Sequence, residues 1–175
     1  LNSIAAAGCC GAVNYHLSAH EDGLDDMRRN IDAWWPSIET GAEAIVSSAS
    51  GCGAMLVDYG SLLAHDPNYA SKAQRVSELT ADIAEILLGE DLSSLEINTR
   101  VGKVAIHTPC TLQHALKLPD AITQILATLG FDLVKTTEDH LCCGSAGTYS
   151  LLQPAISHRL LDRKLDALTI GNPDI

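Results

Sequence analysis

The sequence carries the same three-residue motif twice, Cys-Cys-Gly at residues 9–11 and again at residues 142–144. The two copies are related by an offset of 133 in the numbering (142 − 9), and a tyrosine follows each of them, Tyr15 in one case and Tyr149 in the other. A repeated pair of adjacent cysteines is a strong constraint, because a disulfide between neighbouring residues strains both the bridge and the peptide bond. The motif therefore predicts that the two adjacent thiols are not bonded to each other and that each interacts with other groups.

The similarity between the two halves extends beyond the doublets. Residues 30–33 match residues 164–167 at an offset of 134, and residues 41–45 match residues 171–175 at an offset of 130. Solenoid repeats have periods of roughly 20–50 residues, so a period of this length predicts two homologous lobes produced by duplication.

The repeat also predicts the domain limits. We expect residues 1–91 to be the carboxyl-terminal part of the first cysteine-rich repeat and residues 100–175 the amino-terminal part of the second. Residues 92–99 are polar and without periodicity, and we interpret them as the linker. Since each part holds three cysteines of one shared pattern, we expect the chain to be an excerpt. A further Gly-Cys turn is predicted shortly past Ile175, and a further cysteine as far ahead of Cys9 as Cys110 lies ahead of Cys142.

Composition and charge exclude several classes of function. Apolar residues make up 46% of the 175 residues, which predicts a globular protein. The formal net charge of −11 argues against nucleic acid and anionic membrane surfaces, which select basic patches. No apolar run is long enough to span a bilayer, and no phosphate-binding glycine motif follows a strand.

Short apolar runs alternate with longer amphipathic stretches along the chain. Strands are predicted at residues 44–48, 101–106 and 131–134. This alternation predicts an α/β fold in which two homologous lobes carry short, mainly parallel sheets flanked by helices. In such sheets ligands bind beyond the carboxyl ends of the strands, which is where the cysteines are expected.

In the first lobe a helix is predicted to follow a capping box at residues 18–21 and to end at Pro36. Its apolar stripe comprises Leu24, Met27, Ile31 and Trp34. Cys52 is predicted in a tight turn between Gly51 and Gly53, ahead of a helix that begins near Ala54. A single helix is predicted through Val76, Leu79, Ile83, Ile86 and Leu87, ending at Gly89.

In the second lobe Pro109 is suited to the first turn of a helix, which would place Cys110 at that helix's amino terminus. Pro119 is predicted to begin another helix, which ends at Gly130. Pro154 is predicted to begin the last helix, whose apolar face is Ile156, Leu160, Leu161, Leu165 and Leu168.

The chemistry of the chain rests on its six cysteines, Cys9, Cys10, Cys52, Cys110, Cys142 and Cys143. Soft thiolates delivered by separate loops indicate an iron–sulfur cluster or zinc. Adjacent cysteines are awkward ligands for one tetrahedral ion and bind different irons of a cluster more readily, which favours iron. Two other interpretations stay open: a thiol-redox enzyme that uses a doublet as nucleophile and resolving pair, and a zinc-stabilised interaction module.

The two doublets, the His107-x-Pro-Cys110 segment and the Gly51-Cys52 pair resemble the duplicated cysteine-rich domain of heterodisulfide reductase B-type subunits. The segments at residues 8–17, 30–36, 109–114 and 141–149 look, more narrowly, like the iron–sulfur subunits of glycolate oxidases. Lactate-utilisation subunits share the domain. The resemblance implies an electron-transfer subunit of an oxidoreductase complex, without substrate chemistry of its own, that relays electrons from a flavoprotein subunit towards a membrane quinone. It implies a cytoplasmic protein, or one held at the inner face of the membrane through its complex.

The resemblance also implies roles for individual residues. Cys9, Cys10 and Cys52 would be ligands in one motif, and Cys110, Cys142 and Cys143 in the other, with a 4Fe–4S cluster as the expected cofactor and zinc as the alternative. His107 and His140 precede ligand cysteines and would hydrogen-bond cluster sulfurs. Each motif has one thiolate fewer than in heterodisulfide reductase subunits, so we expect this chain by itself to fold but to be depleted of iron.

Overall fold

The computed structural model describes residues 2–175. The chain forms two compact units, one that runs up to Ile83 and one from Ala84 to Ile175. This division reflects packing and lies ahead of the polar stretch at residues 92–99. The predicted limits of the sequence repeats, at residues 1–91 and 100–175, are not the limits of these packing units. They stay a prediction.

The first unit is mainly helical and contains one small sheet. Its helices and strands, in chain order, are α1 (Ala12–His16), α2 (His20–Glu39), β1 (Ile45–Ser47), α3 (Ser50–Leu62), α4 (Ala70–Leu79) and β2 (Thr80–Asp82). Strands β1 and β2 pair in parallel, with Ile45 opposite Thr80 and Ser47 opposite Asp82. Helices α3 and α4 form the crossover that a parallel pair requires.

The core of the first unit lies between α2, α3 and α4. The predicted stripe of α2 is confirmed, because Met27 and Ile31 are fully buried and Leu24 and Trp34 pack against them. Helices α3 and α4 cover this stripe with a set of mostly apolar side chains, Met55, Leu56, Tyr59, Leu63, Ala73 and Val76. Burial of such a contiguous set supplies the main favourable term of folding.

The predicted start and end of α2 are both wrong. Ser18 has a φ of 68° and its side chain makes no capping hydrogen bond; the residue that caps α2 is Ala19. Ser18 instead ends α1, where its amide donates to the Tyr15 carbonyl, and the left-handed conformation is usual just past a helix end. At the other end α2 continues through Pro36 to Glu39, since Ile38 in the added turn packs against the core.

The single helix predicted from Val76 to Gly89 is also wrong, because strand β2 interrupts it. Helix α4 ends at Leu79, and a separate helix, α5 (Ile83–Leu88), follows the strand. The reason is non-local: β1 needs a parallel partner for its backbone groups, and residues 80–82 supply it. Periodicity in the sequence does not reveal such a partner.

The second unit begins with α5 and contains a second small parallel sheet. Its other elements are a 3₁₀ turn (Leu92–Ser94), β3 (Lys103–Val104), a π-helical turn (Thr111–Ala115), α6 (Ala121–Thr128), β4 (Asp132–Leu133), α7 (Tyr149–Leu152) and α8 (Pro154–Thr169). Strands β3 and β4 pair in parallel, with Lys103 opposite Asp132. Residues 174 and 175 lie along the other side of β3, where the Asp174 amide donates to the Lys103 carbonyl at 2.8 Å.

The predicted apolar face of α8 is wrong as a core face. Ile156, Leu161 and Leu165 are exposed, and the side chains that α8 buries are Ser157, Lys164 and Ala167. A helix face is buried only where another element packs over it. In the described residues of the second unit, up to Ile175, no pair of helices covers α8 as α3 and α4 cover α2. Its small core is built instead on Ala84, Ala121 and Ile125, with α6 packed near α5.

The α/β class with short parallel sheets and flanking helices is thus confirmed. The strands are shorter than predicted, three residues in the first sheet and two in the second. Among the described residues, no helix combines the length and the hydropathy needed to cross a bilayer.

Candidate functional site

The first cysteine doublet is held by two buried side chains of the first unit. Asn30, on α2, accepts a hydrogen bond from the Gly8 amide (2.8 Å) and donates one to the Cys9 carbonyl (2.7 Å). Tyr59, on α3, donates its hydroxyl hydrogen to the Cys10 carbonyl (2.9 Å) and accepts a bond from Asn30 (3.2 Å). Burial raises the pKa of Tyr59, so its hydroxyl stays protonated and remains a donor. The backbone of the doublet is therefore set by the interior of the unit.

The glycine that completes the first motif is required by geometry. Gly11 has a φ of 84°, in the left-handed region that glycine tolerates best. A Cβ atom added there would lie 2.6 Å from the carbonyl oxygen of Gly23 on α2. The chain thus turns from the doublet into α1 at a point where the backbone touches α2.

Cys52 lies at a different point from the one predicted. It is the third residue of α3, so residues 51–53 form the helix's first turn and do not make a tight turn before it. Neither glycine of this segment has a positive φ. The prediction failed because the helix starts four residues early, at Ser50, directly after β1. Cys52 remains beyond the carboxyl end of β1 and is exposed.

The structure brings the three cysteines of the first unit near one another. Burial raises the pKa of the Cys10 thiol to about 11, and the neighbouring Cys52 thiol, to which Cys10 is hydrogen-bonded, and Cys9 add to the rise. Cys9 and Cys52 are exposed, whereas Cys10 is buried. A soft ligand bound there would meet one interior thiol and two accessible ones.

The second doublet is built on the same backbone plan. Gly144 has a φ of 87°, and a Cβ atom added to it would overlap the carbonyl oxygen of Ser157 on α8. Ser157 occupies the place of Gly23, since 157 − 23 = 134, the offset at which residues 30 and 164 also match. Its buried hydroxyl donates to the Gly144 carbonyl (2.8 Å), and the Gly144 amide donates to the Cys142 sulfur (3.3 Å).

The segment that leads to the second doublet is tied to the segment that carries Cys110. The Gln113 side chain donates to the Thr108 carbonyl (2.6 Å) and to the Asp139 carbonyl (3.0 Å). Cys110 caps the π-helical turn and is exposed, and both cysteines of the doublet are half-buried. Unlike in the first unit, no interaction between Cys110 and the doublet thiols is resolved in the described second unit.

The two histidines predicted beside the ligands have different surroundings. His107 is partly buried and lines a cavity of about 290 Å³ that Gln113 and Lys164 also line. Burial, followed by the nearby Lys164 ammonium group, lowers the pKa of His107. His140 is exposed. Hydrogen bonds from either histidine to cluster sulfurs stay a prediction.

The cysteine thiols of the chain suit an iron–sulfur cluster better than a single metal ion enclosed by its side-chain ligands. Within residues 2–175 no three side chains of His, Cys, Asp or Glu are grouped so as to hold a single metal ion. In the first unit, however, Cys10 interacts with both Cys9 and Cys52, and in the second a backbone amide donates to a sulfur of the doublet. Thiolate donors and amide-to-sulfur hydrogen bonds are the features that iron–sulfur clusters use.

Sequence reasoning missed four residues that position the doublets: Asn30, Tyr59, Ser157 and Lys164. A signal existed for two of them. Asn30 lies three residues after Met27 and four before Trp34, which puts a polar residue on the apolar stripe of α2, and Lys164 is its counterpart in the repeat match. A polar residue on a buried face needs a hydrogen-bond partner, so such a position indicates a side chain that holds another segment of the chain.

Comparison with known proteins agrees with this construction. The chain is 53% identical over 169 residues to the glycolate oxidase iron–sulfur subunit of Escherichia coli, which is 97% of this chain and 41% of that protein. It is 32% identical over 162 residues to lactate utilization protein A of Bacillus licheniformis, covering 90% of this chain and 64% of that one. The match to a Bacillus subtilis protein named probable glycolate oxidase iron–sulfur subunit is 26% over 91% of this chain and 36% of the relative. The chain thus spans from about a third to just under two thirds of these relatives.

The model of the cysteine-rich domain family matches the chain in two segments, residues 2–57 and residues 104–175. Each segment contains one Cys-Cys-Gly motif together with the helix that packs against its glycine, α2 in one case and α8 in the other. The two matches agree with the internal duplication seen in the backbone. The chain therefore belongs to the cysteine-rich domain family.

Proposed function

We propose that this chain is the paired cysteine-rich region of an iron–sulfur subunit of a glycolate oxidase complex, in which it relays electrons from a flavoprotein subunit towards a quinone acceptor. The observation that carries the proposal is the Cys-Cys-Gly turn built twice, each time with its glycine against a helix carbonyl. The similarity to the Escherichia coli subunit supports the choice of complex. The complex would act at the inner face of the membrane, and the chain itself would not act on the substrate.

In this proposal each unit contributes ligands to one 4Fe–4S cluster. Cys9, Cys10 and Cys52 hold the first, and a second set of three, Cys110, Cys142 and Cys143, holds the other. A bound cluster accepts and donates single electrons. Asn30 and Tyr59 orient the first doublet, and the helix carbonyls behind the glycines fix the backbone turn that follows each doublet. With three thiolates in each set, iron in the isolated chain is expected below full occupancy.

A lactate-utilisation complex is the second candidate, favoured by the 32% identity to lactate utilization protein A. Both candidates give the chain the same role in electron transfer. They differ in the substrate of the partner subunit, so assay of the purified complex with glycolate and with lactate separates them.

The test of the proposal is replacement of Cys142 and Cys143 together by Ser in the complex. We expect loss of about one cluster's iron and of quinone reduction, while the flavoprotein still reduces an artificial dye. Ser145→Ala changes an exposed residue directly after the doublet motif and is the matched control, which should behave as the unchanged protein. Unchanged iron content together with unchanged quinone reduction in the double variant would refute the proposal.

A further inference from the structure

The same position in the two repeats holds a neutral side chain in one case and a positively charged one in the other. Asn30 on α2 and Lys164 on α8 are related by the repeat offset, 164 − 30 = 134, and both are buried, with exposed fractions of 0% and 3%. Asn30 holds the segment at Gly8 and Cys9. Lys164 holds the segment ahead of the second doublet, because its Nζ atom donates to the carbonyl of Glu138 (2.9 Å) and, at 3.5 Å, to that of Asp139.

The charge of Lys164 is not neutralised by a buried partner. Within the described residues no carboxylate lies at ion-pair distance from its ammonium group. The Glu138 carboxylate is paired with Arg163, which is the first cause of its lowered pKa, and Lys164 adds to that lowering from beyond ion-pair distance. The exposed Asp139 carboxylate accepts a hydrogen bond from Thr136. Lys164 and His107 line the same cavity, and after burial the Lys164 ammonium group is the second cause of the lowered pKa of His107.

The first doublet also has a cation nearby, but under different conditions. Arg29 donates to the Cys9 carbonyl (3.1 Å), and the same guanidinium forms an ion pair with Asp26 (2.6 Å). The Arg29 side chain is 45% exposed, so water and salt screen its charge. A buried ammonium group with no carboxylate at ion-pair distance is screened much less.

We propose that Lys164 is a positioning residue whose charge makes the second cysteine site easier to reduce than the first. This inference rests on the proposed function. Uptake of one electron from the flavoprotein makes a site more negative by one charge, and no proton or bond is exchanged. A nearby positive charge stabilises that reduced form. Electrons that enter the chain would therefore settle in the second unit.

The size of the effect follows from the chain. Three peptide units separate Asp139, whose carbonyl Lys164 contacts, from Cys142, so their Cα atoms are at most about 11 Å apart. The ammonium group lies 3.5 Å from the Asp139 carbonyl oxygen, so its charge is at most about 17 Å from the Cys142 Cα atom. A unit charge at about this distance, in surroundings with an effective dielectric constant of about 20, changes the ratio of reduced to oxidised site by at least about fivefold.

The experiment is an EPR-monitored redox titration of the iron-loaded complex, purified without oxygen. Lys164→Gln keeps a donor for the Glu138 carbonyl and removes the charge. The EPR signal that is lost on replacing Cys142 and Cys143 should therefore become at least about fivefold harder to reduce. The signal of the first site should not move. Lys164→Arg should restore most of the wild-type behaviour. The control Arg159→Gln removes an exposed charge from the same helix and should have little effect.

The outcomes separate this inference from the proposed function. If the unchanged protein binds no cluster, the proposed function falls and the inference with it. If clusters form and Lys164→Gln leaves the second signal where it was, only the inference is overturned. If circular dichroism shows that Lys164→Gln does not fold, the second variant is Lys164→Asn, which places the Asn of the first repeat at this position. It should shift the EPR signal of the second site in the same direction.

Discussion

Helices α2 and α8 occupy the same place in the two repeats, yet the apolar stripe of α2 is buried and that of α8 is exposed. Met27 and Ile31 on α2 are fully buried, whereas their counterparts in the second repeat, Leu161 and Leu165, are 41% and 50% exposed. The stripe of α2 is covered by α3 and α4. An amphipathic pattern thus predicts the helix and its apolar face, but whether that face is buried depends on elements elsewhere in the chain.

The turn at the doublets behaves in the opposite way, because it is the same in both units despite different packing around it. Each glycine is left-handed and lies against a carbonyl of the following long helix. This contact is between two backbones, so it does not depend on which side chains cover the helix. The two units therefore share the local geometry of the doublet and differ in what stabilises the helix behind it.

The largest expected difference concerns the buried and exposed stripes. Ile31→Ala should lower the free energy of unfolding of the first unit by about 2–5 kcal/mol, since it leaves a cavity in the core. Urea unfolding followed by tryptophan fluorescence measures this, because both tryptophans lie on α2. Leu165→Ala is the matched variant, and amide hydrogen exchange in α8 should show a loss of about 1 kcal/mol or less. Equal losses at the two positions would mean that the stripe of α8 is covered in solution.

A smaller loss is expected at the glycine of the first doublet. Gly11→Ala should destabilise the first unit by about 2–4 kcal/mol, because the left-handed backbone disfavours Ala and the new methyl group overlaps the Gly23 carbonyl. Gly41→Ala is the control, since Gly41 has a φ of 97° but nothing lies within 4 Å of an added Cβ atom. Gly41→Ala should lower the free energy of unfolding only by the cost of the left-handed backbone, about 1–2 kcal/mol. If both variants lose the same amount in urea unfolding, the contact with α2 does not hold the doublet.

The smallest expected effect concerns reactivity and leaves the fold unchanged. Burial raises the pKa of Cys10 to about 11 from an ordinary value of 9.0, so less of its reactive thiolate form exists at any lower pH. In the iron-free chain, alkylation of Cys10 should reach half its maximal rate about two pH units higher in the folded state than in urea. Mass spectrometry of the labelled peptides measures this. Cys9, which is exposed, and the half-buried Cys142 and Cys143 are the comparison and should react ahead of Cys10 at pH 8. Equal rates for Cys9 and Cys10 would contradict the burial of Cys10.

Much of the fold could be predicted because its signals are local. The stripe of α2, the helix from Ala121 that ends ahead of Gly130, and the parallel strands all follow from periodicity and from glycine or proline punctuation. The failures at β2 and on the face of α8 have one cause: each depends on a pairing or a packing partner distant in the sequence.

The sequence by itself determined the duplication, the six thiols and the two glycine turns, because these depend on residue identity and backbone sterics within a few positions. Tertiary structure alone decided which side chains hold the doublets and which stripe is buried. Asn30 and Lys164 stand at matching positions, but only the folded chain shows Asn30 bonded to the doublet itself and Lys164 bonded to the segment ahead of it. The physical reason is that a buried polar group takes whatever partner the fold brings within about 3 Å, and that choice is made by contacts far apart along the chain.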